Sequence, residues 1–497
     1  MGTSNLPFQL QRESTGGRLV LDEENTIGTG GEATVYSLPN DRSLAAKVYL
    51  KPSEDRARKL VVMAANPPNW SSTNGPGLDA ANPDIAWPLD LLWTTGRNSR
   101  IAGFLMPRVE DMAPIIDIYS PHARLTSRPW FDYRLLLRTC INLATAVETA
   151  HRGGYVIGDL NHSNIFVAAD ARVTLIDADS FQVRDPDSGA AFLCPVYTPE
   201  FTAPELHNQG LIKTERFLEQ DSFGLGVLVF LLLMGGVHPF TGIHLGQGEP
   251  PPLFSRIASG DFPYSRNKRV MIAPSPIAVP FETLAPGLQD LLRQCFENGH
   301  KEPKQRPTAV AWRDALATAE QDLTVCEANS QHQYGSHQTA CPWCIRSRQL
   351  SGRDPFPSAD AVASGQHRRP IPVRRTLARD RVPQWRVQEQ QLRRSRVRPS
   401  ANLKTWHWVI LISMLWVVLP GMWALSSFYV EPLLRFTGLL AVLFYGMTAA
   451  MTPVAVGMVG WRRAVLISRG GGWLAASVLG LLVGGGLIGF TSILAFF

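Results

Sequence analysis

Residues 156–183, VIGDLNHSNIFVAADARVTLIDADSFQV, are the stretch of the chain that decides the fold. The loop GDLNHSN carries Asp159 and Asn164, and the apolar run VTLI is followed closely by Asp177. Two carboxylates and an amide that converge at strand ends suit Mg²⁺, which prefers oxygen ligands, and can orient a hydroxyl for deprotonation. Because each residue alone is equally explained by turn capping, the stretch needs support from elsewhere in the chain.

That support comes from a glycine cluster and a lysine upstream. The segment GTGGEATVY places Gly28, Gly30 and Gly31 where two predicted strands meet, and glycine lets the backbone approach an anion closely. The segment AAKVY places Lys47 in an apolar strand, where its charge needs an anionic partner such as a nucleotide phosphate. A hairpin turn and an edge-strand lysine would explain each feature separately, but not their joint order with residues 156–183.

The pattern along the chain predicts an α+β fold with two lobes. Residues 18–50 have the composition of short strands, and from Tyr133 onward apolar residues recur at three- and four-residue spacing, which is typical of helices. A strand-rich part followed by a helix-rich part predicts a cleft between two lobes.

Taken in order, these motifs resemble the eukaryotic-type Ser/Thr protein kinase family over about residues 20–320, with APE, DSFGLG and KQRPT as later landmarks. WPLD, GFLMPR and LIDADSFQ are most similar to bacterial members, which often carry a zinc ribbon or a membrane tail. The resemblance implies a two-lobed protein-kinase-like fold, ATP and Mg²⁺ as cofactors, and transfer of the γ-phosphoryl group to a protein hydroxyl.

The resemblance also implies a role for each matched residue. The catalytic group is Asp159, Asn161 and Lys47. The nucleotide-binding group is Gly28, Gly30, Gly31, Val35, Ala45, Lys47, Met106 and Arg108. Asn164 and Asp177 would bind Mg²⁺. The structural group is Glu205 with its partner Arg306, Asp221 behind the catalytic loop, and Glu54, or alternatively Asp55, as the helix acid that pairs with Lys47.

Several positions depart from the family pattern. Gly158 replaces the arginine on which a phosphorylated activation loop docks, so we expect activity that does not depend on phosphorylation of Thr198 or Thr202. Asn161 replaces the lysine that steadies the γ-phosphate and supplies no charge. Ala178 and Asp179 replace a phenylalanine and a glycine, which predicts a magnesium loop that switches less readily.

A second predicted site lies in residues 321–346, CEANSQHQYGSHQTACPWC at its centre. Three of the chain's six cysteines fall here, and Cys341 and Cys344 have the spacing of a zinc knuckle. Cys326 and His332, or alternatively His337, would complete four ligands for a structural Zn²⁺. A polar segment this short has little core without a metal, so we expect a zinc ribbon.

The remaining segments set the expected location of the 497-residue chain. Residues 1–19 read as a tail without a signal sequence, and residues 347–404 as an arginine-rich linker that contributes much of the net charge of +6. Residues 405–497 contain three apolar spans, about 406–430, 436–461 and 472–497, each long enough to cross a bilayer. The basic flanks place the kinase-like part in the cytoplasm, so we expect a multi-pass protein of the bacterial inner membrane.

The expected partners are ATP, the lipid bilayer and a protein substrate that the sequence does not specify. The linker lacks interleaved aromatic residues, so we expect no nucleic-acid partner. Two alternatives remain open: a pseudokinase that binds nucleotide as a signalling scaffold, and a small-molecule phosphotransferase. Asn161 and the missing helix acid favour the pseudokinase, whereas the APE motif and Asp221 argue against the phosphotransferase.

Overall fold

The computed structural model describes residues 8–68, 84–207, 213–267 and 269–368. Its first part is built on strands β1 (Phe8–Arg12), β2 (Arg18–Leu21), β3 (Thr26–Thr29), β4 (Ala33–Leu38), β5 (Asp41–Tyr49), β6 (Asp90–Thr94) and β7 (Ile101–Pro107). These strands form one antiparallel sheet of seven strands in the order β2–β1–β6–β7–β5–β4–β3. Alternate side chains bury two apolar clusters, one on each face of the sheet.

Helix α1 (Glu54–Ala65) covers one of these faces. Ser53 caps the helix, since its hydroxyl accepts a hydrogen bond from the backbone N–H of Arg56. The helix buries Lys59, Leu60 and Met63, so one charged side chain lies among its inward positions.

The N-terminal residues differ from the expected tail. Residues 8–19 form the first hairpin of the sheet, and β1 pairs with β6. Leu10 and Leu21 are buried, and Asp90 accepts hydrogen bonds from Arg12 Nε at 2.8 Å and Ser14 Oγ at 2.6 Å. Alternating apolar residues and this buried carboxylate explain why the folded part begins before residue 20.

The second part is mainly helical. Its helices are α2 (Ile115–Tyr119), α3 (Pro121–Ser127), α4 (Tyr133–Arg152), α5 (Leu218–Leu233), α6 (Leu253–Ser259), α7 (Pro286–Arg293), α8 (Gly299–Lys301) and α9 (Ala309–Gln321). Helix α5 is apolar all round and almost completely buried, so it forms the centre of this lobe, and α4 packs against both α5 and α9. Thus the expected α+β architecture, strand-rich first and helix-rich second, is what the structure shows.

The helical part also contains short strands, which form one three-stranded sheet and two strand pairs. They are β8 (Ala113–Pro114), β9 (Ile165–Val167), β10 (Val173–Leu175), β11 (Val183–Arg184), β12 (Ala191–Phe192), β13 (Ile243–His244) and β14 (Ile272–Ala273). Strands β9 and β10 pair antiparallel, so the loops before β9 and after β10 lie at the same edge. This pairing brings the ends of the stretch 156–183 together.

The segment after α9 does not stand alone. Strands β15 (Leu323–Cys326) and β16 (Asn329–Gly335) form a hairpin, followed by α10 (Pro342–Gln349) and α11 (Ala359–Ala363). Trp343 is buried against Tyr133 and Phe356, with ring centroids 4.9 Å from Trp343 to each. Residues 347–368, expected to belong to an irregular linker, are therefore folded onto α4, because Phe356 supplies an apolar anchor.

Within the described residues, no helix is long and apolar enough to cross a bilayer. The three spans expected between residues 406 and 497, and the remainder of the linker from 369 to 404, lie outside the described residues.

Candidate active site and metal centre

The loop formed by residues 156–164 is held through its backbone. The buried carboxylate of Asp221, in the first turn of α5, accepts hydrogen bonds from the backbone N–H groups of Ile157 and Gly158, both at 2.8 Å. His151 Nε2 lies 3.0 Å from the same carboxylate. The expected position of Asp221 behind this loop is thus what the structure shows.

A second buried side chain, that of Arg216, also binds the backbone of this loop. Arg216 is 1% exposed, and its Nη1 donates to the backbone oxygen of Gly158 at 2.6 Å and to Cys194 Sγ at 3.2 Å. The backbone of Arg216 also makes two hydrogen bonds with the side-chain amide of Gln182, at 2.7 and 2.8 Å. One arginine therefore links residues 158, 182 and 194.

The glycine at position 158 makes this arrangement possible. Gly158 has φ +77°, and a Cβ added there would lie 2.8 Å from Cys194 and 3.0 Å from Arg216 Nη1. Any larger residue would clash with both groups as well as adopting a strained backbone. The resemblance predicts an arginine at this position, and in this chain the side chain of Arg216 lies against the glycine instead.

Asp159, Asn161 and Asn164 form a compact turn. The side-chain nitrogens of Asn161 and Asn164 each donate to the backbone oxygen of Asp159 at 3.2 Å, and Asn161 Oδ1 accepts from the backbone N–H of Ser163 at 2.7 Å. Asn161 is 3% exposed, and both the nitrogen and the oxygen of its amide are thus hydrogen-bonded within the loop. Asn164 donates this hydrogen bond from its side-chain nitrogen. A hard cation such as Mg²⁺ binds the amide oxygen, which this hydrogen bond does not use.

The neighbouring loop, residues 176–182, presents Asp177 beside this turn. The backbone N–H of Ile176 donates to the oxygen of Asn164 at 2.9 Å, which joins the two loops. Asp177 adopts left-handed backbone geometry, with φ +59°, which is strained for an aspartate and concentrates at functional sites. Its side chain is 45% exposed and therefore accessible to a cation.

Lys47 reaches this loop from β5. Its Nζ lies 3.1 Å from Asp177 Oδ1 and 2.5 Å from Asp179 Oδ1. Burial opposes the charge on Lys47, but the carboxylates of Asp179 and Asp177 outweigh it and raise the pKa of the lysine. Lys47 is consequently a buried cation fixed between two acids, of which only Asp177 is substantially open to solvent.

The ion pair expected between Glu54 and Lys47 is replaced by this one. Glu54 lies in the first turn of α1 and is exposed, and the alternative, Asp55, is exposed and pairs with Arg58. The inward turn of α1 carries Lys59 instead, whose Nζ donates to the backbone oxygen of Asp179 at 2.7 Å. Helix α1 begins only a few residues after β5, and the acids in its first turn point outward. Glu54 is therefore not the partner of Lys47.

The expected nucleotide-binding residues lie together in the strand-rich part. Val35 is paired with Lys47 across β4 and β5, and Ala45 with Met106 across β5 and β7. Val35, Ala45 and Met106 contribute to one apolar cluster, and Arg108 follows directly after β7, where its backbone N–H donates to the oxygen of Ser43 at 2.8 Å. At Gly28 and Gly31 an added Cβ would meet no atom within 4 Å, so the loop between β3 and β4 has open space above its backbone.

The expected structural pair is also formed. Arg306 Nη1 and Nη2 contact the two carboxylate oxygens of Glu205, each at 2.7 Å, in a bidentate arrangement. Burial opposes the charge of Glu205, but Arg306 outweighs it and lowers the pKa of the carboxyl. Gln220 Nε2 donates to the same carboxylate at 2.8 Å, which ties the segment before residue 207 to α5.

The four predicted zinc ligands converge at the second site. One ligand atom each from Cys326, His332, Cys341 and Cys344 lies within 4.8 Å of the others. His332 Nδ1 is 3.4 Å from Cys344 Sγ and 3.6 Å from Cys341 Sγ. His337, the alternative ligand, lies elsewhere, with Nε2 3.1 Å from the backbone oxygen of Glu282.

A fifth residue, not foreseen from the sequence, orients the histidine. Asp354 places its carboxylate oxygens 2.8 and 3.0 Å from His332 Nε2, so that Nδ1 faces the sulfur atoms. A carboxylate behind a histidine is the usual way to fix the ring of a metal ligand. The residues therefore fit a tetrahedral Zn²⁺ in donor type, number and ring orientation.

Sequence reasoning missed three further residues: Lys59, Asp179 as a partner of Lys47, and Arg216. Each left a signal. Lys59 lies on the apolar side of α1 beside Leu60 and Met63, and Asp179 is an acid where a glycine is expected. Gly158 is a small residue where a long one is expected, which indicates that another side chain fills the space.

Two curated protein kinases are similar in sequence to this chain. Protein kinase YegI of Escherichia coli strain K12 is 36% identical over 341 residues, which is 68% of this chain and 50% of that protein. Protein kinase YegI of Escherichia coli O157:H7 is 36% identical over 328 residues, 65% of this chain and 48% of that protein. The chain thus spans about half the length of the curated relatives it matches.

The chain was also compared with family models and with solved structures. No family model matches the sequence. The solved structure of the ROP18 kinase domain in complex with AMP-PNP and sucrose is 16% identical, with a TM-score of 0.38 over 64% of this chain and 86% of that chain.

Proposed function

We propose that the chain is an ATP-dependent protein kinase that transfers the γ-phosphoryl group to serine or threonine hydroxyls with Mg²⁺. The observation that carries this proposal is a series of contacts that brings the site residues together. Asn164 Nδ2 donates to the backbone oxygen of Asp159. The backbone N–H of Ile176, the residue before Asp177, donates to the oxygen of Asn164, and Asp177 contacts Lys47 Nζ. A hydroxyl-orienting acid, two oxygen ligands and a cation for the phosphates would thereby be held close together.

Each of these residues would perform a distinct task. Lys47 binds the phosphates of ATP, and the open loop between β3 and β4 lets the backbone approach them. Asp177 and the amide oxygen of Asn164 hold Mg²⁺, which when bound neutralises charge on the phosphates. Asp159, fixed by a backbone that does not depend on phosphorylation, orients the attacking hydroxyl and accepts its proton.

One observation favours the pseudokinase as the second candidate. Asn161 uses its amide within the 156–164 loop rather than offering it to a phosphate. No charge at this position would then stabilise the transferring group, and transfer would be slow or absent.

Phosphoryl transfer by the full chain separates the two candidates. The full chain is incubated with labelled ATP and Mg²⁺ beside Asp159→Asn, Asp177→Asn and the surface control Asp170→Asn, whose side chain is 58% exposed. Label on protein that the first two substitutions erase and the control retains supports the kinase. Nucleotide binding without transfer in the wild type supports the pseudokinase.

We also propose that Cys326, His332, Cys341 and Cys344 hold a structural Zn²⁺. Four protein ligands leave no open coordination position, so the metal would tie β15, β16 and α10 together rather than take part in transfer. Metal analysis of the purified chain is expected to find one zinc per chain, lost in Cys344→Ser and retained in His337→Ala. Zinc that survives Cys344→Ser contradicts the assignment.

We propose further that the apolar residues 406–497 anchor the chain in the bacterial inner membrane with the kinase part in the cytoplasm. The support is the three spans of about 406–430, 436–461 and 472–497, each long enough to cross a bilayer and without Asp, Glu, Lys or Arg, and the arginines that flank them. Fractionation of cells is expected to place the chain in the membrane, where only detergent and not high salt releases it. Release by salt alone contradicts the proposal.

A further inference from the structure

Asp179 lies deeper than its neighbour Asp177 and is held more firmly. Its side chain is 10% exposed, against 45% for Asp177. One carboxylate oxygen contacts Lys47 Nζ at 2.5 Å and the other accepts a hydrogen bond from Tyr49 Oη at 2.7 Å. Both partners project from β5, so this carboxylate is fixed to the strand that carries Lys47.

Lys47 has carboxylate partners without an acid from α1. The two acids of α1, Glu54 and Asp55, are exposed. Among the described residues, the carboxylates that contact Lys47 both come from the 176–182 loop.

Helix α1 is attached to the loop rather than to Lys47. Lys59 Nζ donates to the backbone oxygen of Asp179, not to its carboxylate, at 2.7 Å. The helix thus follows the position of the loop, whereas the orientation of Lys47 is set within the strand and the loop.

We propose that Asp179 is the positioning residue for Lys47, in the place that an acid of helix α1 would otherwise take. This inference rests on the proposed kinase function. Asp177 is the exposed acid of the two and would be the one to hold Mg²⁺, which would neutralise charge on the phosphates. Asp179, buried and held by Tyr49, would then keep Lys47 in position.

The test combines kinetics with the ionisation of Lys47 in the full chain. Asp179→Asn keeps the shape and removes the charge, so we expect kcat/KM for ATP to fall at least about tenfold, mainly through KM. Amine-reactive labelling of Lys47 as a function of pH, followed by mass spectrometry, is expected to show reactivity beginning at least about one pH unit lower. Asp170→Asn, which alters an exposed ion pair, should change neither quantity.

Two more variants distinguish the proposed role of Asp179 from misfolding and from a purely structural effect of the substitution. Tyr49→Phe removes one grip on Asp179 while leaving its charge, and we expect smaller changes in the same directions. Asp179→Gly combined with Lys59→Glu returns the acid to α1 and should recover part of the kcat/KM that Asp179→Gly alone loses.

The outcomes separate this inference from the proposed function. If the wild type transfers no phosphate but the labelling of Lys47 still shifts in Asp179→Asn, the kinase proposal fails and the pairing stands. If kcat/KM and the labelling profile of Asp179→Asn both match the wild type, the role of Asp179 is refuted.

Discussion

The 156–164 and 176–182 loops touch each other and carry the two halves of the proposed catalytic group, yet they are fixed by opposite means. The first is held by its backbone, since Asp221 and Arg216 bind the N–H and C=O groups around Gly158. The second is held by ion pairs, because Lys47 binds the carboxylates of Asp177 and Asp179.

Because of this difference, we expect the two loops to respond differently to pH and to a bound cation. The groups of the 156–164 loop that are held in this way are backbone N–H and C=O groups, which do not titrate themselves. Ion pairs respond to pH and to a nearby cation, so the contacts of the 176–182 loop can change with both. Under the proposed function, the first loop would orient the hydroxyl and the second would receive the metal.

The largest effect should follow from removing the backbone clamp at Asp221. Asp221→Ala leaves the buried N–H groups of Ile157 and Gly158 without an acceptor, at about 1–3 kcal/mol each. We expect the free energy of unfolding to fall by about 2–6 kcal/mol and transfer to be lost. Chemical denaturation measures the first quantity, with exposed Asp187→Ala as the control, and an unchanged denaturation midpoint in Asp221→Ala would contradict the clamp.

A pH titration should expose the charge dependence of the second loop. Burial lowers the pKa of Lys59 to about 8 from its ordinary 10.5. Between these values the unfolded chain holds a proton that the folded chain has released, so this group makes stability rise with pH there. Thermal melting from pH 7 to 10 should show a rise, up to about 3 kcal/mol, that Lys59→Met lacks and exposed Lys51→Met retains. Parallel curves for wild type and Lys59→Met would refute the prediction.

Replacing the second clamp should have a smaller effect. Arg216→Met deprives the oxygen of Gly158 of its donor, which costs about 1–3 kcal/mol. Part of this loss is offset because Nε and Nη2 of Arg216 are buried without partners among the described residues. Chemical denaturation should therefore place this variant between the wild type and Asp221→Ala, with exposed Arg184→Met as the control. A loss larger than that of Asp221→Ala would reverse the order proposed for the two clamps.

The smallest effect is expected at the threonines of the segment between the loops and α5. Because Arg216 already joins residues 158, 182 and 194, no phosphate is needed to hold this segment. Thr198→Ala, and Thr202→Val at a buried position, should keep initial rates within about twofold of the wild type, as should phosphatase treatment. Loss of activity after phosphatase treatment would show that this segment needs a phosphate after all.

The placement of the proposed site residues was predictable because ordered motifs specify where they lie in the chain. Lys47, Asp159, Asn164, Asp177 and Asp221 lie where the pattern predicts, and so do the three cysteines with His332. These side chains lie at strand ends, in loops or at zinc-knuckle spacing, and each of these features can be recognised in the local sequence.

Their partners were not predictable, because they come from distant parts of the chain. Arg216 contacts a glycine 58 positions away, and Asp354 contacts a histidine 22 positions away. Glu54 was misassigned because sequence spacing from Lys47 does not fix which face of α1 turns inward. For the same reason the docking of Phe356 on Tyr133, which orders residues 347–368, left no local pattern.

The hairpin β1–β2 has a consequence for self-association. Without it, the edge of the sheet would be β6, whose Leu91 and Leu92 are buried, and its unpaired backbone would offer a template to another chain. With it, the edge is β2, only four residues long and beginning with Arg18, which is a poor template. A fragment that starts at residue 20 would therefore tend to aggregate through its sheet, whereas one that starts before Phe8 would keep that edge covered.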